Sequence, residues 1–477
     1  MKVEVVSRET IKPSCPTPPH LRTFNLSFLD QVAPPVYVPA VLFYSPASNN
    51  KTKVASSHSD LIKKSLSETL TMYYPFAGRL KADSFIIDCN DDGVDYLETR
   101  VRNNGRPLSE FIKHHDFYEL SQFAPPRDQL LLADNATNSK VVLTVQVNVF
   151  NCGGIVIGLS LSHKIADASS FFVFIKDWAA TARGDTKKIK GGPRFDVLPS
   201  LFPQRDLMGY MPQSMIMNTM REEEIVAKKF VFEDSKITEL RKRSIAINGS
   251  IQEYPSRVEA LSALIWRCFM DVDQAKKKNG GASSTGGVRV YGVAHPVNLR
   301  SRIVPPLPTN TIGNMFSVAV ALSIINDNTE ADDHRDKDNQ YSNLVGKIKD
   351  ALRKIDRDHV IKLQTTDTHI KSVKQIAEVM SGSTDDIEMV LLSFTSSCGF
   401  PSYEADFGWG RPKWVSICSS GNPIKNFIWL NDTSSGEGIE ALVSFTKEDM
   451  ANFERHDELL RYTKNINMES VKNLSKL

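Results

Sequence analysis

The chain has 477 residues, of which 41% are hydrophobic and 24% charged, with a formal net charge of +2. These are ordinary globular proportions, at a length that favours two domains. The balanced charge gives no sign of a nucleic-acid backbone as the main partner, and no run reaches the roughly 18 apolar residues of a membrane-spanning helix.

The opening Met1-Lys2-Val3-Glu4 carries charge where a signal peptide needs an apolar run. Six cysteines (Cys15, Cys89, Cys152, Cys268, Cys398 and Cys418) are scattered, without CxxC or zinc-like spacing. The expectation is a cytoplasmic protein with reduced thiols and no bound metal.

In chain order, Asp60 to Tyr73 reads as a helix, with Ile62, Leu66 and Leu70 at i+4 spacing and Pro75 as its stop. Strands follow at Phe85–Asp88 and Val94–Leu97, split by the turn Asn90-Asp91-Asp92-Gly93. A stronger hairpin comes next. Leu143, Val145, Val147 and Val149 alternate, Asn151–Gly154 turns, and Ile155, Ile157, Leu159 and Leu161 alternate again. The second strand runs directly into His163. A helix is expected from Asp167 to about Ala182, with Phe171, Phe172, Ile175, Trp178 and Ala179 on its apolar face.

Residues 184–225 are rich in Gly, Pro and charge and read as a connection between domains 1–215 and 226–477. The second half holds a helix at Val258–Met270, strands near Val288–Ala294 and Phe316–Leu322, and a helix with Leu344, Ile348, Leu352 and Ile355. Late strands are expected at Glu388–Phe394, Trp414–Cys418, Phe427–Leu430 and Ile439–Phe445, the one near 388–400 crossing into the N-terminal domain. A final helix starts after Thr446, with Asp449 in capping-box position. Lys276–Gly287 and Asn326–Gln340 read as solvated insertions. Mixed helices and strands make the chain α/β or α+β.

Several chemistries drop out. Gly158-Leu159-Ser160-Leu161-Ser162 lacks the second glycine of a hydrolase elbow, and there is no Walker loop and no GxGxxG. What remains is His163-Lys164-Ile165-Ala166-Asp167, an HxxxD. Ten histidines predict about half such a match by accident, and a second does occur at His334–Asp338. Context separates them. His334 sits in a charged, aperiodic stretch that cannot exclude water. His163 lies where an apolar strand gives way to a helix, a junction that fixes a side chain while exposing it. A structural histidine fits the same spacing. His114-His115-Asp116 resembles a metal or relay cluster, but neighbours in sequence on a helix do not face one site.

Asp406-Phe407-Gly408-Trp409-Gly410-Arg411-Pro412 marks a tight turn, which Phe407 and Trp409 could simply pack in place. Arg300 and Arg302, in Val297–Arg302, could clamp a carboxylate bidentately.

Together these segments resemble the BAHD family of plant acyl-CoA-dependent acyltransferases. His163–Asp167 matches its HxxxD motif and Asp406–Gly410 its DFGWG motif, in the family's order and spacing. Tyr73–Arg79, Val297–Arg300 and Gly313-Asn314 also fit, so the resemblance spans the chain. The opening and Ser162–Ala168 look closest to the branch holding salutaridinol acetyltransferase and vinorine synthase. One segment departs. Where many relatives carry Ser-Trp-x-Arg, this chain has Ser396-Ser397-Cys398-Gly399, a change that implies an altered acceptor pocket.

The resemblance implies an α/β fold of two similar-sized chloramphenicol-acetyltransferase-like domains with a solvent channel between them, the second carrying DFGWG. It implies a monomer with no permanently bound cofactor, acyl-CoA (acetyl-CoA favoured) as co-substrate, and a small-molecule hydroxyl acceptor, alkaloid-like favoured. His163 would be the general base. Asp167 would shape the loop by pairing with Arg300. Asp406, together with Gly408, Trp409 and Gly410, would be needed for activity as distal support. The alternatives are a terpenoid, sugar or amine acceptor, a non-catalytic binding homologue, and a carrier-dependent condensation domain. The last usually shows HHxxxDG, whereas Ser162 and Ala168 flank the motif here.

Overall fold

The computed structural model describes residues 1–46, 53–81, 85–102, 106–113, 117–125, 139–189, 191–207, 224–245, 254–278, 288–325, 337–365, 387–418 and 423–464. His114-His115-Asp116 and His334 lie outside the described residues, as do 279–287 and 326–336 of the two polar segments.

The chain divides into two compact units. The first comprises Met1–Asn218, Arg300–Phe316 and Phe400–Asn422, and the second Thr219–Leu299, Ser317–Gly399 and Pro423–Leu477. The first unit holds β1 (Lys2–Ile11), β2 (Thr23–Asn25), β3 (Tyr37–Tyr44), β4 (Arg79–Lys81), β5 (Ile86–Asp88), β6 (Val94–Arg102), β7 (Ser139–Val141), β8 (Leu143–Phe150) and β9 (Ile155–Ser162). Next come β10 (Ile225–Glu233), β11 (Val288–Asn298), β12 (Phe316–Ile325) and β13 (Ile387–Ser396), in the second unit's sheet. Then β14 (Trp414–Ile417) belongs to the first unit, and β15 (Phe427–Asp432) and β16 (Gly438–Thr446) finish the second. The structure thus corrects two expectations. The segment near 388–400 stays in the second sheet, and it is β14 that joins the first, pairing antiparallel with β3. The Asp406–Gly410 turn also lies in the first unit rather than with the second half of the chain.

The first unit's main sheet runs β1-β6-β8-β9-β3-β14, and β2-β5-β4-β7 form a smaller one. The hairpin forms as the alternation dictates, with Val145 opposite Leu159 and Val147 opposite Ile157. Those side chains share one core with Ile62, Leu66 and Leu70 of the helix Lys53–Met72 and with Phe174 and Trp178 of the helix Ala168–Ala182. The intervening Thr144, Gln146 and Asn148 are buried on the opposite face. Buried amides need partners. Asn148 Nδ2 donates to Phe123 O at 2.9 Å, and Gln146 Nε2 to Gln122 O at 2.8 Å. A Cβ on Gly158 would sit 1.9 Å from that Phe123 oxygen, so β9 requires glycine at its closest approach.

Five first-unit strands are absent from the sequence reading, and three of them, β2, β4 and β7, are three-residue strands too short to show a period. β1 is mostly exposed and held by its backbone ladder to β6, which needs no apolar period. β3 contains Pro39 in a continuous apolar run, a residue that argues against a central strand. The start of the expected connection is ordered too. Phe195, Leu198 and Phe202 are buried, and Arg194 N donates to Asn310 O at 2.8 Å.

The second unit's sheet runs β10-β16-β15-β13-β11-β12, with β13 parallel to β11 and β15. The helix Arg257–Lys278 buries Leu261, Leu264, Ile265 and Trp266. Thr446 caps the helix Lys447–Phe453 and exchanges hydrogen bonds with Asp449.

Candidate active site

Ser162 ends β9, and His163 is the first residue beyond it. The strand's ladder still holds this position, because His163 N donates to Val36 O at 2.8 Å. The ring is half-buried, 5.9 Å from the Phe316 ring centroid. Four residues on, Asp167 is the N-cap of the helix Ala168–Ala182, its Oδ1 accepting from Ser170 N at 2.8 Å. An acceptor there satisfies helix N–H groups that have no intrahelical partner. The HxxxD spacing is therefore the length of chain between a strand end and a helix cap.

Arg300 meets Asp167 as a two-pronged ion pair. Nη1 donates to Oδ2 at 2.7 Å and Nη2 to Oδ1 at 3.1 Å, with both side chains under a tenth exposed. Met315 N also donates to Oδ2, at 3.0 Å. Burial alone would raise the Asp167 carboxyl, but the guanidinium, with Ser170 and Met315, holds it below the usual carboxylate range. Arg300 further donates to the carbonyls of Thr311 and Gly313 and to Ser170 Oγ. The pair thus ties the helix start to the segment 300–316. Asp167, fully occupied by these donors, is a brace rather than a partner for the imidazole.

That segment delivers Asn314 to His163. His163 Nδ1 lies 2.9 Å from Asn314 Oδ1, and Asn314 Nδ2 donates to His163 O at 2.6 Å and to Asp30 Oδ1 at 2.9 Å. The amide orientation follows from its surroundings. Rotating it by half a turn would set its oxygen against the Asp30 carboxyl and the His163 carbonyl. With the oxygen facing the ring, Nδ1 must be the protonated nitrogen, and Nε2 keeps a free lone pair. Burial pushes the imidazole below its ordinary value, against the pull of its own carbonyl, Asp167 and Asn314. A neutral ring with an unprotonated Nε2 can accept a proton from an acidic O–H or N–H.

Asp30 and Lys164 complete the surroundings. Asp30 is buried in a capping box with Ser27, whose N–H and hydroxyl donate to Oδ2 at 3.0 and 2.7 Å. Lys164 is buried and donates to Gln31 O at 2.7 Å; burial pushes its ammonium down to about 8, with Asp30 opposing. Neither was singled out in the sequence. Ser27-Phe28-Leu29-Asp30 does carry a readable S-x-x-D signal for the capping box. Its approach to Asn314, 284 residues away, carries no local signal.

The second motif forms its own cluster in the first unit. Asp406 Oδ1 accepts from Gly408 N at 2.8 Å and Gly410 N at 2.9 Å, closing the turn. Both glycines have φ of +108°, where a side chain is strained. Trp409 stacks on Phe407, with centroids 5.5 Å apart, and meets His58 in a tilted contact at 4.4 Å. Phe407 meets Trp178 edge-on at 4.9 Å, on the helix that Asp167 caps. Ten residues of helix, about 15 Å, separate that contact from the cap. Phe407 therefore meets the helix at its far half, with Trp409 stacked behind it and Asp406 closing the turn that carries both.

In the second unit, Ser397 and Gly399 have local explanations. Ser397 is buried and donates to Asn431 Oδ1 at 2.9 Å. Gly399 has φ of +80° and donates to Asp432 Oδ2 at 2.7 Å, a conformation an arginine adopts only with strain.

A family model described as the Transferase family matches residues 1–460. Stemmadenine O-acetyltransferase of Catharanthus roseus is 36% identical over 452 residues, covering 94% of this chain and 96% of the relative. Limonoid 21-O-acetyltransferase of Melia azedarach is 35% identical over 468 residues, covering 97% and 98%. The crystal structure of vinorine synthase superposes with a TM-score of 0.75 at 33% identity, covering 97% of this chain and 99% of that one. On these grounds the chain belongs to the Transferase (BAHD) family, with its mixed α/β fold, and is an acyltransferase.

Proposed function

We propose that the protein transfers an acyl group, acetyl favoured, from acyl-CoA to a hydroxyl of a plant specialised metabolite, with His163 as general base. The observation that carries this is the free Nε2 lone pair of a half-buried imidazole whose Nδ1 is committed to Asn314. Nε2 takes the proton as the acceptor oxygen attacks the thioester carbonyl. The tetrahedral intermediate then collapses, the C–S bond breaks, and the imidazolium returns the proton to the CoA sulfur. The products are an ester and free CoA thiol, so protons balance and no acyl-enzyme is required. The bidentate Asp167–Arg300 pair keeps the His163 loop in register through these steps.

The acetyl donor is favoured by the relatives, which are alkaloid and terpenoid O-acetyltransferases. Because both acceptor classes stand at near-equal identity, a hydroxylated terpenoid is retained beside the alkaloid-like acceptor. The test is incubation with acetyl-CoA and longer acyl-CoAs against hydroxylated alkaloids and terpenoids, reading thiol release and product mass. Thiol release that depends on an acceptor, with one acetyl added to it, is expected. Binding of acyl-CoA and acceptor with no thiol release above the acceptor-free rate would overturn the proposal in favour of a non-catalytic homologue.

A further inference from the structure

The geometry points to Asp30 as a positioning residue that sets the tautomer of His163 through the side chain of Asn314. This rests on the reading of His163 as the base and adds a link that the HxxxD motif does not contain. Asp30 Oδ1 accepts from both Asn314 N–H groups, the backbone N at 2.8 Å and Nδ2 at 2.9 Å. Its other oxygen is held by Ser27 N and Oγ, and Ser27 Oγ accepts in turn from Asp30 N at 3.1 Å. Asp30 and Ser27 are 1% and 0% exposed, so the anchor is rigid and dry. Asn314 is fully buried as well, and its amide has one orientation compatible with two acceptors on its nitrogen side.

The consequence runs in one direction along the chain of bonds. The Ser27 cap fixes Asp30, Asp30 fixes the Asn314 amide, and the amide oxygen admits His163 only with its proton on Nδ1. Without Asp30, one amide proton and one backbone N–H of Asn314 lose their acceptor. The amide then keeps only the His163 carbonyl on its nitrogen side, so the orientation that offers its nitrogen to the ring gains population, and that orientation favours the opposite tautomer, with Nε2 protonated and unable to act as a base. The arrangement holds whether or not Asp30 carries its proton, because a carboxylic acid donating from Oδ2 to Ser27 Oγ still accepts at Oδ1.

The experiment is nitrogen-15 NMR of the imidazole nitrogens in the full-length protein, with His163 assigned by difference against His163→Gln. The NMR needs no substrate; kcat is read with acetyl-CoA and a hydroxylated acceptor found by the thiol-release assay. Wild-type protein should show Nδ1 protonated and Nε2 bare. Asp30→Ala should show a mixture shifted toward protonated Nε2, with kcat lowered about 10- to 100-fold and KM for acetyl-CoA little changed, since part of the general-base contribution is lost. Should Asp30→Ala fail to fold, Asn314→Ala breaks the same link while leaving the Ser27–Asp30 cap in place and should show the same mixture. A wild-type ring protonated on Nε2, or a folded variant whose ring stays wholly Nδ1-protonated, overturns the inference. A shifted tautomer with unchanged kcat would uphold the positioning and overturn the role of His163 as base.

Discussion

At the scale of residues, the site is a division of labour between two carboxylates. Asp167 faces an arginine and backbone N–H groups, and Asp30 faces an amide and a cap; neither touches the imidazole directly. The Asp167–Arg300 pair is buried, so removing either partner leaves an uncompensated charge or a guanidinium without its anion. Asp167→Asn or Arg300→Met alone is expected to cost about 3–5 kcal/mol of stability, and the double variant less than the sum of the two. Urea unfolding of the four proteins measures the coupling; strictly additive losses would mean that the pair is not a unit. Local signals show why only part of this was legible. HxxxD is readable because strand end, turn and cap are contiguous. The residue that orients the ring lies 151 positions away from it, and Asp30 lies 284 from that residue; the S-x-x-D spacing reads as a local cap, but neither long-range contact leaves a periodic or spacing signature.

Among the elements, the β8–β9 hairpin and the helix Ala168–Ala182 do most of the placing. Both were evident from alternation and helical spacing because each buries one apolar face in a single core. β3 was not, since a proline inside a doubly buried run defeats the usual pattern, and β1 was not, since it is an exposed edge. The DFGWG turn belongs to this scale. Its aspartate caps two glycine N–H groups, and its Phe407, stacked on Trp409, packs against the far half of the site helix. Asp406→Ala is expected to lower stability by about 1–3 kcal/mol, the range for losing acceptors of this kind. It should reduce turnover less than loss of His163 does. Thermal melting beside kcat checks this, and a variant with wild-type melting but abolished turnover would move Asp406 into the chemistry.

On the scale of the whole molecule, sequence order and spatial grouping diverge. The unit that carries His163 is built from three separated stretches, and the later two supply Arg300 with Asn314 and the DFGWG turn. Composition and length suggest two bodies but cannot reveal that stretches from the second half of the chain complete the first. For that reason a boundary drawn by sequence near residue 220 would separate His163 from the residues that orient it. The central claim is that the His163 imidazole takes the acceptor's proton. Single-turnover acetyl transfer by His163→Ala, at saturating acetyl-CoA and acceptor, tests it most directly. The expected result is a chemical step slowed by about 10²–10⁴-fold with unchanged melting. Acetyl transfer at the wild-type rate by the folded variant would contradict it.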